Sequence, residues 1–364
     1  MTKMNFNPEW KNKNYYFFPD DIEKYPDAWC IIVWSRRGPG KTYSALRFAY
    51  ENKIPIVYAK RTIDDVNIIC SDKNGIDLSP YVPINRDCNT NIKTIQIEKG
   101  IGGVYDVIYD EDDKPLMGKP ISYIAALNAM KVIKGFDLSH CEWLLLDEFI
   151  PQSGEIVRRS EGEMLLDLYM TIQRDRVKRG RNNLKLILFA NSENISTPIT
   201  NELDIVDSMC ELMAQNKTHL YLDDRGILLH HITNDEIPIQ ETEKTGIYKA
   251  MANTSWGRKA FYGDFANNDF SSVKKINLNK YTPVVAYTWK NKNVYVYRRN
   301  EMLYFSKSKN EKCEMYDLNL ENDQKRFYYD YIIDFRNETI EHRVKYESYT
   351  MYDLVVNYKG FFKI

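Results

Sequence analysis

The sequence predicts an α/β protein: a mainly parallel sheet flanked by helices, then a small connecting subdomain, then a C-terminal α+β domain. Three observations predict it. A buried strand, a helix and a second strand follow one another within about thirty residues at 29–59, as a parallel βαβ unit requires. Two further apolar strands, 143–146 and 184–190, resume that pattern around an amphipathic helix. Past residue 279, the strands 284–288, 294–298 and 302–306 are separated only by turn-sized gaps, as in an antiparallel meander.

Taken in order, residues 1–28 are polar and aromatic, and Pro8, Pro19 and Pro26 break any long helix. The first strand, 29–34, leads through a Gly-rich turn into a helix from Lys41 to about Asn52, and 54–59 is the second strand. Residues 62–120 read as a helix start and short strands at 94–97 and 104–108, with turn residues at 110–114. The helix at about 161–177 carries Met164, Leu165, Leu168 and Ile172 on one face. A hairpin, 219–222 and 227–232, turns at 223–226 and closes a first domain spanning 1–234. A polar connecting subdomain takes 235–278, and the C-terminal domain takes 279–364.

Composition narrows the function. Fifty Lys and Arg against 51 Asp and Glu leave a net charge of -1, so any nucleic-acid contact must come from a local basic surface. At 43% hydrophobic and 28% charged, the chain is not a mainly disordered one. No apolar run approaches the roughly 18 residues of a membrane span, and the N-terminus lacks the apolar core of a signal peptide. Six scattered cysteines show no metal-ligand spacing, and His230 and His231, on opposite faces of a strand, read as structural. The expectation is a soluble cytoplasmic protein with reduced thiols.

Ser35-Arg36-Arg37-Gly38-Pro39-Gly40-Lys41-Thr42 follows a strand and opens a helix. It fits G-x-x-x-x-G-K-[ST] except that Ser35 replaces the first glycine. Its backbone N–H groups would surround phosphates, aided by the helix N-terminus. Lys41 would reach the β- and γ-phosphates, Thr42 would ligate Mg²⁺, and Tyr43 completes the nucleotide-binding stretch. The strand at 143–146 ends in Asp147 and Glu148, which would hold the hydrated Mg²⁺ and polarise an attacking water, respectively. Asn191, ending the next strand, would sense the γ-phosphate or position that water. These residues predict an ATP-hydrolysing site. Five of the eight residues 174–181 are Arg or Lys. The residues alone leave three readings of that stretch open: charge at a helix C-terminus, a DNA-phosphate contact, or an arginine finger.

At this point the chain resembles the DNA encapsidation ATPases of small podoviruses, the phi-twenty-nine-like packaging motors, which are related to terminase large subunits. The resemblance rests on Ile32-Val-Trp-Ser-Arg-Arg-Gly-Pro-Gly-Lys-Thr-Tyr43, Ile56-Val-Tyr-Ala-Lys-Arg61, Leu145-Leu-Asp-Glu-Phe-Ile150, Thr171-Ile-Gln-Arg-Asp-Arg176 and Ile187-Leu-Phe-Ala-Asn-Ser192. It implies an additional-strand P-loop ATPase domain working as a ring, a pentamer in this family, on the portal of a procapsid. ATP and Mg²⁺ would drive double-stranded DNA inward, and hydrolysis would take place at subunit interfaces. The resemblance places Arg174 at a trans-acting finger position and Lys134 at a second trans-acting position. It leaves the roles of Lys60 and Arg61 open. A packaging RNA is an open further partner, the isolated protein is compatible with a monomer, and the location is host cytoplasm and, transiently, the procapsid. The C-terminal domain would be an RNase H-like, vestigial nuclease fold. Its first strand, Val284-Val-Ala-Tyr-Thr-Trp289, holds no acid, and Asp330, Asp334 and Asp353 are the carboxylates left, so no cleavage is expected. The rival readings are a helicase-like nucleic-acid remodelling ATPase, a P-loop kinase, and a scaffold that binds ATP without turnover.

Overall fold

A strand with no polar face, such as Cys30–Ser35, is stable only inside a sheet covered on both sides, and every residue of it is buried. It pairs in parallel with Lys185–Asn191 on one flank and Ile227–Ile232 on the other. The computed structural model describes residues 4–364 apart from 74–75, 111, 113–114, 175, 266–268 and 311. Two units divide the chain, Met1–Leu203 with Leu212–Ala266 and Asp204–Glu211 with Asn267–Ile364.

The first unit is built on a ten-stranded sheet. From one edge its strands run His219–Leu222, Ile227–Ile232, Cys30–Ser35, Lys185–Asn191, Trp143–Asp147, Ile56–Lys60, Ser122–Ala126, Ile101–Tyr109 and Ile92–Glu98, and Pro115–Met117 pairs with Ile101–Tyr109. From Ile227–Ile232 to Ser122–Ala126 every pairing is parallel. The outer strands are antiparallel. Lys185–Asn191 lies between the strand that feeds the glycine-rich turn and the strand that ends in the acid pair.

Several elements differ from the sequence expectation. Ser122–Ala126 is a full member of the parallel block, although its small residues carry little strand signal. The helix expected to reach residue 177 stops at Gln173, followed by a 3-10 turn at Val177–Arg179. Arg176 explains the stop. Its buried guanidinium donates to the carbonyls of Ser139 (2.9 Å), Asn182 (3.0 Å) and Cys141, which holds the chain in a turn. Of the turn expected at 110–114, residues 111, 113 and 114 lie outside the described residues.

The connecting subdomain expected at 235–278 does not stand alone. Its larger part belongs to the first unit and contains Gly246–Met251 and a π-turn, Arg258–Tyr262. Its end joins the second unit, where Val273 bridges in parallel to Tyr346.

The second unit has a five-stranded sheet in the order Met315–Asp317, Thr282–Trp289, Lys292–Arg299, Met302–Ser306, Val344–Tyr346. The expected meander is its centre, and the two edge strands run parallel to their neighbours. Lys290 and Asn300 take left-handed backbone at the two tight turns. Val285, Tyr287, Val296 and Phe305 face a core completed by Phe327, Phe335, Tyr346 and Tyr358. Many of the 27 tyrosines are thus core residues. Asp330 accepts from Tyr316 Oη at 3.0 Å, Asp334 is exposed, and Asp353 is buried with Asn357 Nδ2 2.5 Å from its Oδ1. Asp207 caps the helix Tyr349–Val356, accepting from Thr350 N at 3.0 Å and Thr350 Oγ1 at 2.7 Å.

The helix Glu161–Gln173 crosses Pro198–Glu202 at Gly162, where an added Cβ would lie 2.4 Å from Glu202 Cβ and 2.6 Å from Pro198 O. Gly162→Ala is therefore expected to destabilise the first unit by about 1–3 kcal/mol, read as a lowered Tm against Gly118→Ala, a change in open space at ordinary backbone.

Candidate phosphate-binding site

A parallel sheet delivers its strand ends to one edge, and register decides which side chains meet there. Ser35 is opposite Asn191, and Phe189 is opposite Asp147, so the serine, the asparagine and the acid pair emerge side by side. After Ser35 the chain turns through Gly38 and Gly40, both at φ 95°, a left-handed backbone that a side chain would strain. Gly40 caps the helix Lys41–Glu51, which starts with Lys41 and Thr42 facing the acids.

Lys41 is buried. Its Nζ lies 2.5 Å from Ser35 Oγ, 3.3 Å from Arg36 O and 3.3 Å from Asn191 Oδ1. Ser35 thus replaces the usual glycine with a hydroxyl that receives the lysine. Burial is the largest influence on the ammonium and pushes it down to about 8; Asp147 opposes that fall and Arg36 reinforces it.

Asp147 Oδ2 accepts from Thr42 Oγ1 at 3.0 Å and from Tyr58 Oη at 2.9 Å, and its Oδ1 accepts from Glu148 N at 3.1 Å. Glu148 sits at φ 57°, an uncommon conformation for a residue with a Cβ. The kink sends Phe149 and Ile150 into the core and leaves the Glu148 carboxylate at the edge, 2.8 Å from Lys60 Nζ. Burial raises the Glu148 carboxyl, but Lys60, helped by Arg37 and Arg61, outweighs it and holds the group below its usual range.

These groups surround a cleft of about 280 Å³ lined by Arg37, Gly38, Pro39, Gly40, Lys41, Thr42, Tyr43, Asp147, Glu148, Ala190 and Asn191. Two residues of the expected stretch do not line it, the buried Ser35 and Arg36. The Arg36 guanidinium turns away and is buried against Glu243 (2.8 Å), Asn234 (3.1 Å) and Pro238 O (3.4 Å), so it clasps the loop from behind. Arg37 reaches Gln152 at 2.9 Å.

Two sets of residues behave differently from the rest. Tyr58 and Lys60 touch the acids directly. Their signal was the alternation of a strand, which puts residues two apart on one face. Arg61 is buried in a structural ion pair with Glu161 at 2.9 Å and with Glu155. Arg174 and Lys134 do not line this cleft. Arg174 ends the helix that returns from the acid strand, two residues before the turn anchored to Ser139, Cys141 and Asn182, all just ahead of strands Trp143–Asp147 and Lys185–Asn191. Arg179, bonded to Asp137 and Ser139 at 2.8 Å each, ties the same turn to the segment that follows Lys134. Arg174 therefore lies toward the N-terminal ends of these strands, away from the cleft, and Lys134 lies in the connection between Ser122–Ala126 and Trp143–Asp147.

No family model and no curated protein matches the sequence. Solved structures do match the fold. Two phage packaging-motor structures share it. One, the Phi-28 gp11 DNA packaging motor, superposes with a TM-score of 0.62 at 16% identity, over 97% of this chain and 99% of that one. The other, the bacteriophage Phi-29 viral genome packaging motor assembly, gives 0.59 at 12% identity, over 96% and 99%. At such identities the likeness establishes the fold and carries it across both units. Among the described residues no helix is long and apolar enough to cross a membrane.

Because Lys41 titrates at about 8 in the free protein and a bound phosphate favours its charged form, affinity is full below that pH and falls as pH rises through it. Calorimetric titration of a nucleotide from about pH 7 to pH 9 should show progressive weakening in the wild type. Lys41→Met should bind weakly and nearly independently of pH over the same window.

Proposed function

We propose that this chain is the ATPase of a phage genome-packaging motor, driving double-stranded DNA into a procapsid with ATP hydrolysed between neighbouring copies in a ring. The convergence of Lys41, Thr42, Asp147, Glu148 and Asn191 on one cleft carries the reading. The position of Lys185–Asn191 between the loop strand and the acid strand supports an additional-strand P-loop core, and the fold shared with the Phi-28 and Phi-29 structures supplies the context.

The residues present fit a magnesium nucleotide. Left-handed glycines free backbone N–H groups for phosphate, and the Thr42 hydroxyl and Asp147 carboxylate are adjacent hard oxygens of the kind Mg²⁺ prefers. Mg²⁺ bound with ATP would neutralise charge on the phosphates. Lys41 would exchange Ser35 and Asn191 for phosphate oxygens, which frees Asn191 to orient water. Glu148, kept ionised by Lys60, must leave that ion pair to take a proton from water, so Lys60 restrains the base until the site is set.

Arg174 and Lys134 do not line their own cleft, so the reading assigns them to a neighbour's cleft, as the resemblance implies. Arg176 is structural. The second unit is assigned to docking on DNA, portal or a packaging RNA. A pentameric ring, and a monomer in isolation, belong to the same proposal.

Glu148→Gln should bind nucleotide normally and lose about 10²–10⁴-fold in turnover. DNA-stimulated turnover should fall steeply with salt, as phosphate contacts demand. Arg174→Ala and Glu148→Gln should each be inactive on procapsids, and their mixtures should regain turnover because some interfaces pair an intact cleft with an intact finger. Mixtures no better than either variant alone would sink the shared site, and DNA-stimulated turnover without packaging would favour a remodelling enzyme.

A further inference from the structure

A second cavity, of about 540 Å³, adjoins the phosphate cleft, and Arg37 and Asn191 line both. All of its lining belongs to the first unit. Ser192 and Glu193, the residues that follow strand Lys185–Asn191, line it together with Gln152 from the segment after the acid pair. Trp256 and Phe261 add an aromatic side, packed edge to face with ring centroids 5.6 Å apart.

Charge and hydrogen bonding decide what this cavity can hold. Two carboxylates line it, and each already has a cation. Glu193 Oε2 is 2.6 Å from Lys259 Nζ, and Glu243 Oε1 is 2.8 Å from Arg36 Nη1. The third cation of the lining, Arg37, donates to a neutral oxygen, Gln152 Oε1, at 2.9 Å. One positive charge is therefore in excess, on a planar guanidinium with further N–H donors. Ser192 adds a hydroxyl that is buried and has no hydrogen-bond partner among the described residues. A buried polar group left unpaired is costly, so this one asks for a partner from outside the chain. Asn191 turns its Oδ1 to Lys41 at 3.3 Å, which leaves its amide N–H groups as donors.

Excess positive charge, N–H donors and an unpaired hydroxyl suit a small anion and repel a basic side chain. Location names the anion. On the ATPase reading, Lys41 and Asn191 mark the γ-phosphate, and Asn191 is where the two cavities meet. Hydrolysis adds water to the γ-phosphorus and breaks its bond to the bridging oxygen, so the freed anion starts at this end while ADP still fills the cleft. We propose that the second cavity is an exit chamber for inorganic phosphate, which Arg37, Asn191 and Ser192 hold after hydrolysis and release past Trp256. The proposal rests on the ATPase reading of the cleft. The chamber is far wider than one phosphate: its polar residues form the holding site, and Trp256, 44% exposed, marks the mouth.

The test is equilibrium dialysis of radiolabelled inorganic phosphate against full-length protein saturated with magnesium ADP, a measurement that needs no turnover. Wild-type protein should hold one phosphate per chain in addition to ADP. Ser192→Ala, which deletes only the unpaired hydroxyl, should weaken phosphate about tenfold and leave ADP affinity as it was. Gln152→Glu, at an exposed position, sets a carboxylate beside Arg37, cancels the excess charge and should weaken phosphate at least as much. Phosphate bound equally by wild type and both variants would put the ion elsewhere and overturn the proposal. ADP bound without phosphate would overturn it too and leave the chamber to a side chain of a second copy. No ADP bound at all would sink the ATPase reading and this proposal with it.

Discussion

The parallel pairing of Cys30–Ser35 with Lys185–Asn191 is the constraint on which the first unit depends. It inserts a strand between the glycine-rich turn and the acid pair, and its register sets Ser35 beside Asn191. Had these strands paired one residue out of step, Lys41 would lose one of its oxygen partners and Asp147 would no longer face Thr42. The site is held by hydrogen bonds across three strands and one helix start rather than by any single loop.

The polar groups of the cleft restrain one another through borrowed partners. Lys41 rests on Ser35 and Asn191, Asp147 on Thr42 and Tyr58, and Glu148 on Lys60. Each bond fixes the position of one polar group, and in the proposed reaction each would be given up. A closely packed cleft in this way holds the Lys41 ammonium and the Asp147 carboxylate each on a neutral partner. Arg36 adds a mechanical element, since its clasp on Glu243 ties the loop to residues the sequence suggested were a separate connector.

What was legible in the sequence was whatever is written in neighbouring residues. The apolar runs located the strands at 30–35, 143–147 and 185–191, and the glycine-rich turn and acid pair pointed to the edge where the cleft lies. What was not legible depended on packing between distant segments. Arg36 belongs to a phosphate-loop motif, yet burial against Glu243 turns it away. Arg176 and Arg174 are indistinguishable by composition, and only the carbonyls around Arg176 separate a structural arginine from an exposed one. Strand Ser122–Ala126 escaped because alanine favours helix and serine favours caps and turns, and its place comes from its neighbour Ile56–Lys60. Asp21 is hydrogen-bonded to His219 and His230, about two hundred residues away, so no spacing rule could join them.

If Arg174 acts in a neighbour's cleft, as proposed, its absence from its own cleft has a geometrical consequence for assembly. A surface that offers a cleft at one edge of its sheet and the group to fill it at the other is not self-complementary. A two-fold dimer, which pairs one patch with itself, cannot satisfy both ends. Copies that use both must join head to tail, and such a chain of contacts has only two fates: it closes into a ring or grows as an open helix. In the proposed assembly, directionality would then already be present in a single subunit.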